Sequence, residues 1–234
     1  MPILLACLFL AQRQHIDSDV VYGKVGDKEL KLDAYKPDHP MGKVFIAIHG
    51  GGFTTGTKGQ NTGTLCQFLA SRGFTCFDID YRLQNDVGGK RDDAIKAAVD
   101  DAVTAYNWVV KNASKYGGDP TKISIGGSSA GAITSLYAVY SRRIAVKSVV
   151  DLWGGMYGKE GDMVKGDAPL LIVHGSNDKV VPYNLSITLQ NRAKAVGVKC
   201  RFLSTADGHG MDLKTEINHY SILEHVDSFL RETM

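Results

Sequence analysis

The chain has 234 residues, 44% of them hydrophobic, and its 27 Lys and Arg stand against 25 Asp and Glu for a net charge of +2. That length and apolar content suit one globular domain with a sizeable core, and the near-balance of charge removes any electrostatic reason to expect a nucleic-acid or anionic-membrane partner. No apolar run approaches the roughly 18 residues of a membrane span, and Cys7, Cys66, Cys76 and Cys200 lack the C-x-x-C spacing of a metal site.

Residues 3–11 form a short apolar block, and Leu4-Leu5-Ala6-Cys7 faintly resembles a lipoprotein cleavage site. Met1-Pro2 supplies no positive charge ahead of it, and Phe9 is a poor residue before a cut after Ala11. Residues 1–19 are therefore expected to be an atypical leader or a short extension, with one domain over 20–234. A leader would make the protein secreted or periplasmic and would permit a Cys66–Cys76 bridge; otherwise the protein is cytoplasmic. Cys76 and Cys200 fall inside apolar strand patterns and read as buried hydrophobes.

Residues 20–25 and 29–35 read as two strands of a hairpin joined at Gly26-Asp27. Lys43-Val44-Phe45-Ile46-Ala47-Ile48 reads as a buried strand, and His49-Gly50-Gly51-Gly52-Phe53 follows it directly. Three successive glycines leave the backbone bare, so neighbouring N–H groups can converge on one point. Acyl transfer needs such a point where negative charge develops on oxygen. Gly51 and Gly52 are the candidate donors, and His49 reads as structural. No Gly-Lys-Ser/Thr closes the run, which excludes a Walker phosphate loop.

A helix is predicted over 61–72, ending at Gly73, and then a strand over 74–79. In Asp80-Tyr81-Arg82, Tyr81 and Arg82 are expected to brace the glycine loop or the next helix. Arg82 is expected to pair with a carboxylate among Asp78, Asp80, Asp92 and Asp93. Residues 92–116 give the clearest helix: Ile95, Val99, Val103, Tyr106 and Val110 recur at three- and four-residue steps until Gly117-Gly118-Asp119-Pro120.

The apolar run Ile123-Ser124-Ile125-Gly126 then leads into Gly127-Ser128-Ser129-Ala130-Gly131 and a helical stretch to Tyr140. Strand, sharp turn and helix is the setting in which G-x-S-x-G marks a nucleophile. Ser129 is the candidate, and the Ala130 N–H is a third candidate donor to an oxyanion. Strands are predicted at 146–152 and 170–173. After the second comes His174-Gly175-Ser176-Asn177-Asp178, where Asp178 can accept the Nδ1–H of a histidine and fix its tautomer. A helix over 184–195 and a strand at 200–203 precede Thr205-Ala206-Asp207-Gly208-His209-Gly210. His209 stands alone on a loop after the last strand and is the candidate base. His219 and His225 are placed in the final helix, which runs to about residue 231. Asp207 is a weaker rival to Asp178, being so close to His209.

Taken together, His49 to Phe53, Asp80-Tyr81-Arg82-Leu83, Gly118-Asp119-Pro120, Gly127 to Gly131, Asp178 and His209 resemble an α/β-hydrolase of the hormone-sensitive-lipase-like carboxylesterase kind. The likeness runs from about residue 20 to the end. Ser129 and Asp178 lie only about fifty residues apart, enough for a helix, a strand and a connection. The chain therefore resembles the capless carbohydrate-esterase members, of feruloyl and acetyl-xylan type, at least as well.

The resemblance implies a three-layer fold with a mostly parallel eight-stranded sheet, an antiparallel N-terminal edge hairpin and no substantial cap. It implies hydrolysis of short-acyl or carbohydrate-linked esters through an acyl-enzyme, without metal or cofactor, by a monomer or homodimer. Residues beside the predicted strand ends (Phe53, Trp153, Met156, Tyr157, Val180, Val181 and Pro182) are expected to wall the pocket. Two other readings stay open: a serine peptidase of the prolyl-oligopeptidase type, with the same triad order, and a hydrolase-fold binding protein that has lost its chemistry.

Overall fold

The computed structural model describes residues 15–234; the apolar block at 3–11 and Cys7 lie outside it. Eight strands form one sheet in the order β1-β2-β4-β3-β5-β6-β7-β8. They are β1 (His15–Val25), β2 (Lys28–Lys36), β3 (Gly42–Ile48), β4 (Thr75–Ile79), β5 (Gly118–Ser128), β6 (Val149–Leu152), β7 (Leu170–Gly175) and β8 (Cys200–Thr205). β1 pairs antiparallel with β2, and β2 with β4. Every pairing from β4 through β3 to β8 is parallel. This is the α/β-hydrolase architecture with its antiparallel edge. β1 starts earlier than its apolar pattern because His15, Ile16 and Asp17 pair with Lys36, Tyr35 and Ala34 before a bulge.

Helices cover both faces. α1 (Asn61–Ala70) and α5 (Ile222–Thr233) lie on one, and α2 (Arg91–Asn112), α3 (Ala130–Leu136) and α4 (Asn184–Val196) on the other. The strands supply alternate residues to the two cores. In β3, Val44, Ile46 and Ile48 join one cluster while Phe45 and Ala47 join the second. In β7, Leu170 and Ile172 oppose Leu171 and Val173 in the same way. Both faces are buried, which is why these strands read as continuous apolar runs.

α2 buries a different stripe from the one its large residues suggest. Ala94, Ala97, Ala98, Ala102, Ala105 and Val109 face the sheet together with Val99, the one buried member of the expected stripe, whereas Ile95, Val103 and Tyr106 sit at the rim and Val110 is exposed. The small residues let the helix approach closely, so the tight face carries the alanines. The helix ends at Asn112, and a 3-10 turn over Ala113–Tyr116 completes it.

A short hairpin, β9 (Glu216–Ile217) with β10 (Tyr220–Ser221), precedes α5. It moves His219 out of the expected helix and into the hairpin turn, and His225 stays in α5 with its Nε2 against the Ile217 carbonyl, 2.7 Å away. Cys66 and Cys76 are buried free thiols, and Cys200 is half-buried. No helix among the described residues is long and apolar enough to cross a membrane.

β3 lies between β4 and β5, so the chain reverses its direction of travel across the sheet there. A crevice opens outside the carboxyl ends of strands at such a reversal. The glycine loop follows β3 and Ser129 follows β5, so both stand at its mouth.

Candidate active site

Ser129 sits between β5 and α3 with φ 53° and ψ −117°, outside the regions an L-residue prefers. The turn is held from both sides. The Ser129 N–H donates to the Leu152 carbonyl at 2.8 Å, and the Ser129 carbonyl accepts from the Ile133 N–H at 3.0 Å. The flanking glycines are needed for contact as well as for the bend. A Cβ on Gly127 would stand 2.1 Å from the Ile48 carbonyl oxygen, and one on Gly131 only 1.9 Å from it. Removing both side chains lets the serine turn press against the end of β3, and the glycine loop that follows β3 is thereby brought beside Ser129.

That loop is braced from below. The Tyr81 hydroxyl donates to the His49 carbonyl at 3.0 Å, and the two rings stack with centroids 4.3 Å apart. His49 Nδ1 donates to the Gly50 carbonyl at 2.7 Å. Burial lowers the His49 pKa, against the pull of that carbonyl and of Asp80, so the ring stays neutral. Thr54 and Thr55 N–H groups donate to the Gly51 carbonyl at 3.1 and 3.0 Å, closing the loop on itself. Gly51 and Gly52 both have positive φ and line the cleft. Ala130 is the first residue of α3, so its N–H precedes the helix's own hydrogen-bond ladder.

Arg82 finds a partner outside the expected set. Its Nε and Nη2 both bind Asp101 of α2, at 3.0 and 2.7 Å, and its backbone N–H binds the same carboxylate at 2.8 Å. The helix turns Asp101 to the sheet side and leaves Asp92 and Asp93 exposed in its first turn.

His209 reaches the cleft from the loop after β8. Its Nε2 lies 2.9 Å from Ser129 Oγ, and its Nδ1 lies 2.7 Å from Asp178 Oδ2. The loop crosses the end of β7, where a Cβ on Gly175 would stand 2.3 Å from the Asp207 carbonyl oxygen. The Asn177 N–H donates to that carbonyl at 3.0 Å. Asp207 thus serves through its backbone, and its side chain is exposed.

Asp178 is buried, and both of its oxygens are occupied. Oδ1 accepts the N–H groups of Val180 and Val181 at 2.8 and 2.9 Å. Oδ2 accepts His209 Nδ1 at 2.7 Å and His174 Nε2 at 3.0 Å. Burial works against the charge, but the His209 bond and the two backbone bonds outweigh it and hold the carboxyl below its usual range.

A cleft of about 560 Å³ opens over Ser129 and His209. Trp153 and Val180 line it, with the glycine loop, Gln60, Asn61, Thr62 and Gly210. The other expected wall residues turn elsewhere. Phe53 is wholly buried against Tyr81, Met156 is wholly buried, and Val181 packs inward, whereas Tyr157 and Pro182 are exposed away from the lining. Positive φ accompanies both outcomes, since Trp153 lines the cleft and Phe53 and Tyr157 do not. Gln60, Asn61, Thr62 and His174 carried no motif; only the four-residue step from His174 to Asp178 could have flagged the last.

Fold and site together define the α/β-hydrolase class. Residues 32–154, just over half of the chain, match the BD-FAE family, and the chain belongs to that family. Among curated relatives, the probable carboxylic ester hydrolase LipM of Mycobacterium tuberculosis is 36% identical over 53% of this chain and 28% of its own length. Esterase LipC of the same organism is 24% identical over 88% of this chain and 63% of its own length. The chain thus spans less than two thirds of either relative. Esterase 2 of Thermogutta terrifontis, solved phosphoramylated by tabun, shares the fold with TM-score 0.79 and 23% identity over 94% of each chain.

Proposed function

We propose that this protein is a serine carboxylesterase acting on short-acyl or carbohydrate-linked esters. The observation that carries the reading is the continuous relay Ser129 Oγ–His209 Nε2, His209 Nδ1–Asp178 Oδ2, at 2.9 and 2.7 Å beside the glycine loop. In this mechanism Ser129 Oγ attacks the ester carbonyl while His209 Nε2 takes its proton. Asp178 holds the imidazole in the tautomer that can receive it. The carbonyl oxygen becomes an anion and is met by the N–H groups of Gly51, Gly52 and Ala130. His209 returns the proton to the leaving alcohol oxygen as the C–O bond breaks. A water then gives a proton to His209 and its hydroxide to the acyl carbon. Collapse breaks the bond to Ser129, which recovers the proton, and a carboxylic acid leaves.

The walls support this substrate class. Gln60, Asn61 and Thr62 make one side polar, suited to a hydroxylated alcohol moiety. A notch of about 10 Å³ between Leu65, Leu152 and Leu213 shares Asn61, Thr62 and Ser128 with the walls of the cleft. It has room for about one water molecule, and a space that small supports acetyl over longer chains.

A panel of p-nitrophenyl acetate, butyrate and octanoate, methyl ferulate and acetylated xylan tests this. The acetates should give the highest kcat/KM, and octanoate dominance would overturn the substrate reading. Ser129→Ala should lower kcat by roughly 10³- to 10⁶-fold and abolish fluorophosphonate labelling. Near-wild-type turnover by the folded variant would refute the nucleophile.

A further inference from the structure

We propose that His174 is a positioning residue for Asp178: it donates Nε2–H to the carboxylate oxygen that also receives His209, and Ser186 sets the ring tautomer that can do so. The proposal rests on the reading of Ser129, His209 and Asp178 as a catalytic triad.

His174 is fully buried near the end of β7. Its Nε2 faces two acceptors, Asp178 Oδ2 at 3.0 Å and the Val181 carbonyl at 3.1 Å. A nitrogen between two acceptors carries the hydrogen. Burial pushes the imidazole pKa down, against the opposing pull of Asp178, so the ring is neutral. A neutral imidazole has one N–H, so Nδ1 is bare. It lies 2.6 Å from Ser186 Oγ, whose hydroxyl must then donate. Ser186 is itself fully buried, in the first turn of α4. The Tyr183 ring stands edge-on to His174 at 5.7 Å, packing beside it. The hydrogen bonds therefore run one way, from Ser186 through His174 to Asp178 and so to the oxygen that holds His209.

Burying two polar ring nitrogens is costly unless both are used, and an apolar side chain would fill the same space more cheaply. Here both are used, and one is spent on Asp178. The second N–H on Oδ2 has two effects. It fixes the plane of the carboxylate, which Val180 and Val181 grip only by the other oxygen. It also withdraws charge from Oδ2, so the proton shared with His209 stays on the imidazole while Ser129 reacts. Loss of His174 would leave the carboxylate free to tilt and His209 free to drift from Ser129.

The test compares His174→Leu, His174→Gln and Ser186→Ala with the wild type, using p-nitrophenyl acetate kinetics, thermal unfolding and fluorophosphonate labelling. His174→Leu should lower kcat by about 10- to 100-fold with KM within about twofold, the signature of misplaced chemistry rather than lost binding. His174→Gln carries an N–H₂ at the reach of Nε2 and should recover kcat to within roughly fivefold of wild type. Ser186→Ala removes only the tautomer's anchor and should cost about three- to tenfold. A folded Leu variant with wild-type kcat, or Leu and Gln variants equally slow, would overturn the proposal. Should the Leu variant not fold, wild-type kcat in Ser186→Ala would overturn it equally. A wild-type chain that neither hydrolyses esters nor takes the label overturns the triad reading and this role with it. An active, labelled wild type beside an unimpaired Leu variant overturns the role of His174 alone.

Discussion

Asp151 and Asp178 stand at the carboxyl ends of adjacent strands, β6 and β7, and both side chains are buried. Asp151 accepts one hydrogen bond, from the Gly154 N–H to Oδ1 at 2.7 Å, while its Oδ2 meets no partner among the described residues. Burial raises its pKa from 3.8 to about 7, with the Gly154 bond only partly opposing. Asp178 accepts from Val180, Val181, His174 and His209, and its pKa is lowered. Asp151 lies deeper than Asp178 and has one aimed N–H where Asp178 has four, so desolvation and donor number together set the two carboxyls apart. Of the two, Asp178 is the one whose Oδ2 also receives His209, the imidazole beside Ser129.

The largest expected effect breaks the comparison on its catalytic side. Asp178→Asn replaces an acceptor by a donor and sets His209 in the wrong tautomer, which should lower kcat by about 10⁴-fold. Asp151→Asn on the neighbouring strand should leave kcat within about threefold, since Asp151 touches no reacting group. Asp207→Asn should be equally mild, because Asp207 acts through its carbonyl. A p-nitrophenyl acetate assay in which Asp207→Asn is the most damaging would show that the wrong acid has been chosen.

A third buried carboxylate sharpens the rule with a cation in place of neutral donors. Asp101 is buried and binds Arg82 Nε, Nη2 and backbone N–H. Arg82→Ala would strip Asp101 of its counter-charge and should cost about 3–5 kcal/mol, read by urea unfolding at neutral pH. Arg82→Met with Asp101→Leu should recover most of the loss, because a satisfied pair and an apolar pair are close in stability. A single Arg82→Ala as stable as wild type would show that water or a neighbour replaces the guanidinium.

What could be read from the chain divides along the same line. Runs such as Lys43 to Ile48 and Leu170 to Val173 announce strands buried on both faces, and the glycines around Ser129 announce a close approach, because such demands are local. The relay's residues, Ser129, Asp178 and His209, also stand in local settings that name them: an elbow, a strand end, an isolated loop. Contacts that depend on the turn of a backbone far away leave no such mark. The alanine face of α2 looks weaker than a stripe through Ile95 and Val103 until the sheet's nearness is known. Arg82 has nearer carboxylates in sequence than Asp101, which α2 alone brings round. Phe53 is buried against Tyr81 and Tyr157 is exposed outside the cleft, placements that their neighbours in sequence do not signal. His174 follows an apolar strand run without a motif of its own, and only the fold of the Asp178 turn brings its ring against that carboxylate.

The smallest expected effect tests the other side of the comparison, the carboxylates whose burial outweighs their few donors. Asp78 has its pKa raised from 3.8 to about 7 like Asp151; burial is the main cause, and the Gly59 N–H and Thr62 hydroxyl oppose it only in part. In the unfolded chain both groups ionise near 3.8, and in the folded chain near 7. Between those values the folded state binds more protons, so stability falls as pH rises and levels off above the folded values. Each group contributes a slope of about 1.4 kcal/mol per pH unit in mid-window, or roughly 2 kcal/mol between pH 5 and pH 7. Asp151→Asn keeps an acceptor for the Gly154 N–H and has no proton to lose. It should match the wild type near pH 5, be the more stable protein at pH 8, and fall with about half the wild-type slope, since Asp78 still titrates. Urea unfolding at pH 5, 6, 7 and 8 decides it: parallel curves for the two proteins would mean that Asp151 is ionised at low pH despite its depth and single donor, and that ionisation does not separate the two strand ends.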